Sequence, residues 1–407
     1  MFRKNKILLS CTLLLSMSAA AQAAPPEKLV VVAPQCLLQN LQTNYKVLSS
    51  TDALVLLETS NAGLDALIEA KNHRSLTPCG GFMEVTDAYN ARGTRAAKSF
   101  LADYAHPASN KTQAAYSIKY PNQVTSLLQT ITPQEIWTNL TQFSNTSRDQ
   151  FPDRYAGSDN GVKAAQWLQS KIEAMAKANN RTDITVYTVA TGVRYKQPSV
   201  VVKIGNSNEP GVVIGSHMDT LASTAKDLKP GADDDGSGSM TAMETARVLI
   251  SSDMRFKKPI YFIWYAAEEM GLVGSAQVVK DFKAKNIAVD AVLQLDMTGY
   301  ANQNDPTIWL ITDNANKALT DYLETLINTY VKTPVGRTKC GYSCSDHASW
   351  DKAGFNAAFP FEAEFGKDDP YIHTSKDTMD VLSLSHMTDF AKLGTAFAVE
   401  LAEPVGE

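Results

Sequence analysis

From about residue 120 onward, the chain alternates between two patterns of apolar residues. Short runs rich in β-branched and aromatic residues are typical of buried strands. These runs cover residues 200–202, 211–215, 260–265 and 291–295. Longer segments, in which apolar residues recur every three or four positions, predict helices. These segments cover residues 161–179, 238–251, 314–332 and 386–401. The alternation predicts an α/β fold, with a mostly parallel mixed sheet and helices on both faces.

The stretch before this region has a different character. Residues 24–112 contain short apolar runs, at 29–32 and 53–57, and then a polar, turn-rich stretch around 105–114 that is typical of an exposed linker. We therefore predict a pro-segment at 24–112 and a catalytic domain at 113–407. The alternative is a small accessory domain that stays attached.

The first 23 residues have the features of a secretory signal peptide. Arg3, Lys4 and Lys6 provide the positive start, and the apolar segment 7–17 is too short to cross a bilayer. Residues 21–23 form a small-x-small cleavage site. We expect a secreted protein, and the length of the segment argues against a membrane anchor.

Composition limits the possible partners. The chain has 407 residues, 44% of them apolar, which suffices for one large domain or for one domain and a smaller one. The net charge of −5 and the lack of a basic run argue against nucleic acid. No later run is apolar enough to enter a membrane, and we expect a monomer.

Four cysteines remain once a signal peptide carrying Cys11 is removed: Cys36, Cys79, Cys340 and Cys344. An even set outside the cytoplasm favours disulfides, and three pairings are possible. The short separation of Cys340 and Cys344 favours local pairing, with Cys36 bonded to Cys79.

Five separated stretches carry ligands for hard metal ions. They contain His217, the acidic run 233–235, the pair Glu268 and Glu269, Asp296, and His373. Histidines and carboxylates without thiolates are typical of a two-metal hydrolytic site. A structural zinc would have four cysteine or histidine ligands. Three of the stretches follow predicted strands, and ligands of α/β sheets gather at the carboxyl ends of strands.

Two ions about 3.5–4 Å apart are most simply held by a bridging carboxylate. Asp234 suits this role because glycines flank its acidic run and allow a sharp turn. His217 and Asp296 would complete one site, and Glu269 and His373 the other.

Two acidic side chains are left for other roles. Glu268 is free to take a proton from water and deliver it to the leaving amine. Asp219 is placed to accept the second N–H of His217, which would fix the tautomer of the ring.

These stretches, read with their neighbours, resemble a known family. The motifs are PGADDDGSG at 230–238, YAAEEMG at 265–271, QLDMT at 294–298, CGYSCSDHASW at 340–350 and IHT at 372–374. From about residue 120 to residue 401, the chain resembles the secreted bacterial di-zinc leucyl aminopeptidases, which are aminopeptidase Y-like zinc exopeptidases.

The resemblance implies an enzyme that removes the N-terminal residue of peptides with a free N-terminus. It implies two Zn²⁺ ions per chain, a water between them, and five ligands: His217, Asp234, Glu269, Asp296 and His373. Glu268 would be the general base and acid, and Tyr342 would help to stabilise the oxyanion. The resemblance also implies a Cys340–Cys344 disulfide beside the site, a cis peptide after Asp234, and an N-terminal pro-segment.

Specificity depends on an apolar pocket that the resemblance also implies. Its candidate residues are Met297, Ile311, Phe359, Phe361, Phe365 and Ile372. At Asp368 the leucine-preferring relatives carry an aromatic residue. If Asp368 lines the pocket, its carboxylate would favour N-terminal Lys or Arg; if it faces solvent, we expect a preference for Leu-type residues.

Three other functions are compatible with parts of this pattern. A carboxypeptidase or deacylase needs a cationic clamp for a carboxylate, and the one candidate, Arg337, has no evident partner in the sequence. A glutaminyl cyclase would use the same architecture with a single zinc. A non-catalytic receptor or adhesin would be expected to lose ligands, and none is missing here.

Overall fold

The computed structural model describes residues 28–41, 45–72, 80–93, 96–105, 115–145 and 151–406. Three predictions fall outside these ranges: the signal peptide at 1–23, Cys79, and the boundary of the pro-segment at residue 112. Cys36 is disulfide-bonded. Its pairing with Cys79 stays a prediction.

Residues 28–105 form a folded unit with its own sheet. The strands are β1 (Leu29–Pro34), β2 (Lys46–Ser50), β3 (Leu54–Thr59) and β4 (Met83–Glu84), and the helices are α1 (Asn61–Asn72), α2 (Thr86–Arg92) and α3 (Ala97–Ala105). The sheet is antiparallel with the order β2-β3-β1-β4. All six residues of β1 are buried, because apolar clusters cover both faces of the strand. We call this part of the chain the N-terminal unit.

The rest of the chain alternates strands and helices as predicted. The strands are β5 (Ile184–Val189), β6 (Ser199–Ile204), β7 (Gly211–His217), β8 (Ile260–Tyr265), β9 (Val289–Gln294), β10 (Ile308–Ile311), β11 (Val335–Thr338) and β12 (Ala357–Phe361). The helices are α4 (Pro121–Leu128), α5 (Pro133–Phe143), α6 (Asp159–Ala178), α7 (Gly238–Ser251), α8 (Val273–Ala284), α9 (Lys317–Leu326), α10 (His347–Lys352) and α11 (Leu384–Ala402). Across the described ranges, no helix is long and apolar enough to cross a bilayer.

One eight-stranded sheet lies at the centre, in the order β11-β10-β12-β9-β7-β8-β6-β5. Strands β8, β7, β9 and β12 run parallel, whereas β5 and β6 on one side and β10 on the other add antiparallel pairs. The parallel strands are buried on both faces, which explains their continuous apolar runs. Their carboxyl ends therefore meet along one edge of the sheet.

Helices cover both faces of this sheet, which confirms the predicted fold class. The larger apolar core joins one face to α4, α5, α6, α7, α9 and α11. A smaller core joins the opposite face to α8 and α10.

One predicted helix differs in extent. The segment 314–332 was expected to form a single helix, but α9 begins at Lys317 because the Asn316 side chain accepts the Leu319 N–H and caps the helix. After Leu326, a π-helical turn covers Ile327–Val331. The spacing of apolar residues predicted the helix but gives no information on where it begins or ends.

Candidate metal centre

The five predicted ligands come from the carboxyl edge of the sheet. His217 is the last residue of β7, Glu269 follows β8, and Asp296 follows β9. Because these three strands are parallel neighbours, their ends bring the side chains together. Asp234 lies in the turn before α7, and His373 lies in the loop between β12 and α11.

These side chains form two groups that share Asp234. In each group, the ligand atoms all lie within 4.8 Å of one another. In the first group, His217 Nε2 lies 3.0 Å from Asp234 Oδ1 and 3.5 Å from Asp296 Oδ1. In the second, His373 Nε2 lies 3.0 Å from Asp234 Oδ2 and 3.1 Å from Glu269 Oε2. The two carboxylate oxygens of Asp234 thus face different groups.

The donor chemistry of both groups fits zinc. Each group offers one imidazole nitrogen and carboxylate oxygens from two residues, which is a common zinc ligand set that leaves a further position open. Asp234, Glu269 and Asp296 are all buried. Buried carboxylates so close together are costly unless cations compensate them. The two groups therefore offer sites for two metal ions.

The pKa values of two residues in these groups are shifted by their close neighbours. Burial lowers the pKa of His217, but the nearby Asp296, Asp219 and Asp234 outweigh it and raise that pKa well above its usual value. Burial raises the pKa of Asp234, but hydrogen bonds to His217 and His373 hold it well below its usual range. Both histidines thus lie within 3.0 Å of the shared carboxylate, one at each of its oxygens.

Asp219 links the first group to the loop that carries the glutamates. Its Oδ1 atom lies 3.5 Å from His217 Nδ1 and accepts the Glu268 N–H at 3.0 Å. Its Oδ2 atom accepts the Glu269 N–H at 3.3 Å. One buried carboxylate therefore orients a ligand of each group.

Two further acids that sequence reasoning did not single out brace the ligand segments. Asp235 accepts the backbone N–H groups of His217 and Met297, each at 3.0 Å. Asp377 accepts the backbone N–H groups of Asp233 at 2.7 Å and Asp234 at 3.2 Å. Asp235 belongs to the acidic run, so its role could have been predicted from the sequence. No pattern in the sequence indicates a role for Asp377.

The backbone around the site contains several unusual conformations. The Asp234–Asp235 peptide bond is cis, as the family resemblance implied. Ala267, Met297 and His373 have positive φ angles of 54°, 58° and 62°. Each of these three residues is a candidate ligand or lies near one in sequence. A non-glycine residue with a positive φ angle is held in that conformation by the surrounding structure. Such residues concentrate at functional sites.

Comparison with known proteins agrees with this geometry. Residues 199–398 match the profile of peptidase family M28. A probable leucine aminopeptidase of Arthroderma otae is 37% identical over 334 residues, which cover 79% of this chain and 85% of that protein. The chain belongs to peptidase family M28. It is a zinc-dependent aminopeptidase, and it acts on peptides.

Solved structures support the M28 assignment. The LapA aminopeptidase of Legionella pneumophila is 42% identical, with a TM-score of 0.83 over 93% of this chain and 99% of that one. A zinc aminopeptidase from Bacillus subtilis is 16% identical, with a TM-score of 0.54 over 67% of this chain and 95% of that one. The second similarity shows the fold alone.

In this M28 aminopeptidase, the predicted pocket residues gather in one apolar cluster. Its buried members are Met297, Ile311, Cys340, Phe359 and Phe361, and its partly buried members are Tyr342, Cys344, Phe365 and Ile372. Cys340 and Cys344 form the predicted disulfide and are part of this cluster. All six apolar candidates from the sequence are therefore together.

Asp368 does not face solvent. Its exposed fraction is only 7%, and its Oδ1 atom accepts the Gly366 N–H at 2.8 Å. Its charge raises the pKa of Glu362 and of Tyr300, although burial is the larger cause in both. The alternative of a solvent-facing Asp368 is therefore wrong.

Glu268 and Tyr342 are both half-buried. Glu268 directly precedes the candidate ligand Glu269, and its backbone N–H donates to Asp219. The ring of Tyr342 meets that of Phe365 edge-on, with 6.0 Å between centroids. Tyr342 thus belongs to the apolar cluster.

We predict that Asp219→Asn weakens zinc binding. The Asp219 oxygens face only N–H donors, so the amide would direct its own N–H₂ at one of them. Loss of such a supporting contact typically lowers metal affinity by about 10–100-fold. Zinc affinity can be measured by competition with a chromogenic chelator.

Asp159→Asn is the control, since its side chain is 81% exposed and pairs with Lys196 on the surface. Equal zinc affinities for the two variants would contradict the role given to Asp219.

Proposed function

We propose that the chain is a two-zinc aminopeptidase that releases the N-terminal residue of peptides with Glu268 as proton carrier. The observation that carries this proposal is the position of Asp234, whose two oxygens face two separate ligand groups. His217 and Asp296 would complete one zinc site, and Glu269 and His373 the other.

When bound, two zinc ions would polarise the scissile carbonyl, favour ionisation of a water and hold the free amine of the substrate. Glu269 is the glutamate of the second ligand group, so Glu268 is not required as a metal ligand. The Glu268 carboxylate takes the proton of the attacking water and then delivers it to the departing amine. The Tyr342 hydroxyl donates a hydrogen bond to the oxyanion.

The surroundings of two arginines argue against a carboxypeptidase. A carboxypeptidase or deacylase needs a cation free to bind the carboxylate of its substrate. Arg337 is instead paired with Asp321 at 2.8 Å and with Glu324 at 2.5 Å on the surface. Arg154 is fully buried and bonds to backbone carbonyls. Neither arginine can serve as this clamp.

The number of ligand groups argues against a cyclase with one zinc. Both groups retain a histidine and two acidic residues, so the second site is as complete as the first. The ratio of zinc to protein therefore separates the two functions.

We expect Glu268→Gln to lower turnover of an aminoacyl-anilide by roughly 10²–10⁴-fold, because proton transfer is lost. Zinc content, measured by mass spectrometry, should stay at two ions per chain, since Glu268 is in neither ligand group. Glu209→Gln, at an exposed position, is the control.

The same assay tests the class of substrate. A peptide with an acetylated N-terminus should not be cleaved, because no free amine remains to be recognised. Cleavage of the blocked peptide from its C-terminus would overturn the aminopeptidase proposal.

We further propose that the protein is exported with its signal peptide removed, is monomeric, and has 24–112 as an inhibitory pro-segment. The N-terminal unit contacts the loops that carry Glu268 and Tyr342. The Glu84 N–H donates to Gly271 O at 3.0 Å, and Tyr104 Oη lies 2.6 Å from Ser343 Oγ.

Two glycines of the N-terminal unit lie directly against Tyr342. A Cβ atom on Gly80 would lie 2.9 Å from Tyr342 Oη, and one on Gly81 would lie 2.5 Å from Tyr342 Cε2. Because no side chain intervenes, the backbone of the N-terminal unit covers the hydroxyl that we assign to the oxyanion. This supports inhibition by the attached unit.

We expect cleavage within residues 106–114 to raise turnover of the full chain. Gly81→Ala should raise the turnover of the uncut chain as well, because the added methyl group would displace the unit from the Tyr342 ring. Anilide hydrolysis before and after cleavage measures both effects.

Gly93→Ala is the matched control. Gly93 also has a positive φ angle, but a methyl group there would meet nothing within 4 Å. Turnover that stays the same after cleavage would leave the unit as a folding aid or an accessory domain.

Substrate preference follows from the apolar cluster and Asp368. The cluster suits an apolar N-terminal residue of Leu type.

If the Asp368 carboxylate reaches the pocket, Asp368→Asn should lower hydrolysis of Lys-anilide relative to Leu-anilide by about tenfold, since a charged hydrogen bond is worth about 1.5–3 kcal/mol. Glu364→Gln, which removes an ion pair with Lys367, is the control. An unchanged ratio would leave the preference apolar.

A further inference from the structure

Arg154 is among the largest fully buried side chains in the described part of the protein. It lies between α5 and α6, next to the turn that carries Asp234. Its Nε atom donates to Met218 O at 2.8 Å, and Nη2 donates to Gly231 O at 2.7 Å. Its Nη1 atom donates to Pro230 O at 2.7 Å and to Phe143 O at 3.2 Å.

Two of the segments joined in this way carry metal ligands. Met218 directly follows His217, and Pro230 and Gly231 begin the turn that leads to Asp234. One planar guanidinium therefore spans the two segments that contribute the imidazole and the shared carboxylate. A guanidinium presents its five donors in a rigid plane, so it also fixes the spacing of its acceptors.

Arg154 is itself held from several sides. Its guanidinium lies 4.4 Å from the centroid of the Phe143 ring. Its backbone N–H donates to Thr220 Oγ1 at 3.0 Å, and its carbonyl accepts from Gln197 Nε2 at 3.3 Å. Thr220 belongs to the same segment as His217 and Asp219. The side chain thus has little freedom to follow a displaced partner.

The charge of Arg154 is also placed where the site needs it. Burial lowers its pKa to about 10, and the charges of Asp377, Asp235, Asp219 and Asp234 oppose that fall. The group thus remains a cation at neutral pH. The four side-chain bonds described above go to carbonyls, so the carboxylates keep their oxygens for other partners.

We propose that Arg154 is a positioning residue that sets the separation of the His217 and Asp234 segments and thereby assembles the zinc-binding site. This proposal rests on the proposed two-zinc function, because zinc affinity is used to measure whether the ligand segments are correctly placed. Arg154 itself belongs to neither ligand group.

Arg181 provides a matched control within the same chain. It is also buried, and its Nη1 atom donates to Leu249 O at 2.9 Å and to Ile250 O and Ser252 O at 3.2 Å. These carbonyls lie at the carboxyl end of α7, whereas the Asp234 turn precedes its amino end. Loss of Arg181 should therefore destabilise the fold without changing the ligand geometry.

The test compares Arg154→Lys, Arg154→Ala and Arg181→Lys in the full chain. Zinc affinity is measured by chelator competition, and the midpoint of urea unfolding is measured without metal. Arg154→Lys keeps the charge, but one ammonium cannot reach carbonyls on three segments. We expect both Arg154 variants to bind zinc about 10–100-fold more weakly. Arg181→Lys should lower the urea midpoint while its zinc affinity stays at that of the wild type.

Chemical rescue provides a second readout. In Arg154→Ala, added methylguanidinium should restore zinc affinity, whereas methylammonium at the same concentration should not. Arg154→Lys with wild-type zinc affinity would overturn the proposal, as would an equal loss of affinity in Arg181→Lys. If Arg154→Ala does not fold, Arg154→Lys decides the question. A wild-type chain that binds fewer than two zinc ions would instead refute the proposed function.

Discussion

Buried negative charge at the carboxyl edge of the central sheet is the constraint on which the site depends. Five buried aspartates are candidate ligands or lie close to one: Asp219, Asp234, Asp235, Asp296 and Asp377. An unpaired buried carboxylate is costly, so each one must find N–H donors or a cation. The braces of the site follow from this: Asp219, Asp235 and Asp377 are satisfied by backbone N–H groups of the ligand segments. The same bonds that relieve the charge hold the ligands in place.

Much of this arrangement was predictable, because it depends on strand ends. Buried parallel strands produce continuous apolar runs, and the residue that follows each run falls at the carboxyl edge. His217, Glu269 and Asp296 could be placed in this way. Asp377 and Arg154 could not, because their partners are backbone groups far away in the chain and leave no periodicity in the sequence. The start of α9 was missed for a related reason, since a single side chain, that of Asn316, sets it.

The fold also couples the N-terminal unit to the loops of the site. Gly271, which accepts the Glu84 N–H, lies in the loop that carries Glu268, and Ser343, which contacts Tyr104, directly follows Tyr342. Leu272 and Ala348 of the catalytic part pack in the same apolar cluster as β1 and α3. Removal of the unit would therefore expose apolar surface and free Tyr342 at the same time. Under the proposed function, the unit and the substrate would compete for the same side of the molecule.

Arg154 donates its side-chain hydrogen bonds to carbonyls and not to the carboxylates of the site, which is consistent with metal binding. A cation that paired directly with Asp234 or Asp296 would occupy the oxygens that metal ions require. Four side-chain hydrogen bonds of Arg154 go to carbonyls, so its charge acts on the surrounding acids through space while four of its five donors are occupied. Long-range attraction to several carboxylates lowers the cost of burying them without competing for their oxygens. A neutral residue of similar shape would lose that attraction, and a flexible cation would be free to move onto a ligand. The site therefore needs a cation that carbonyls of several segments hold in place, which a guanidinium provides and an ammonium does not.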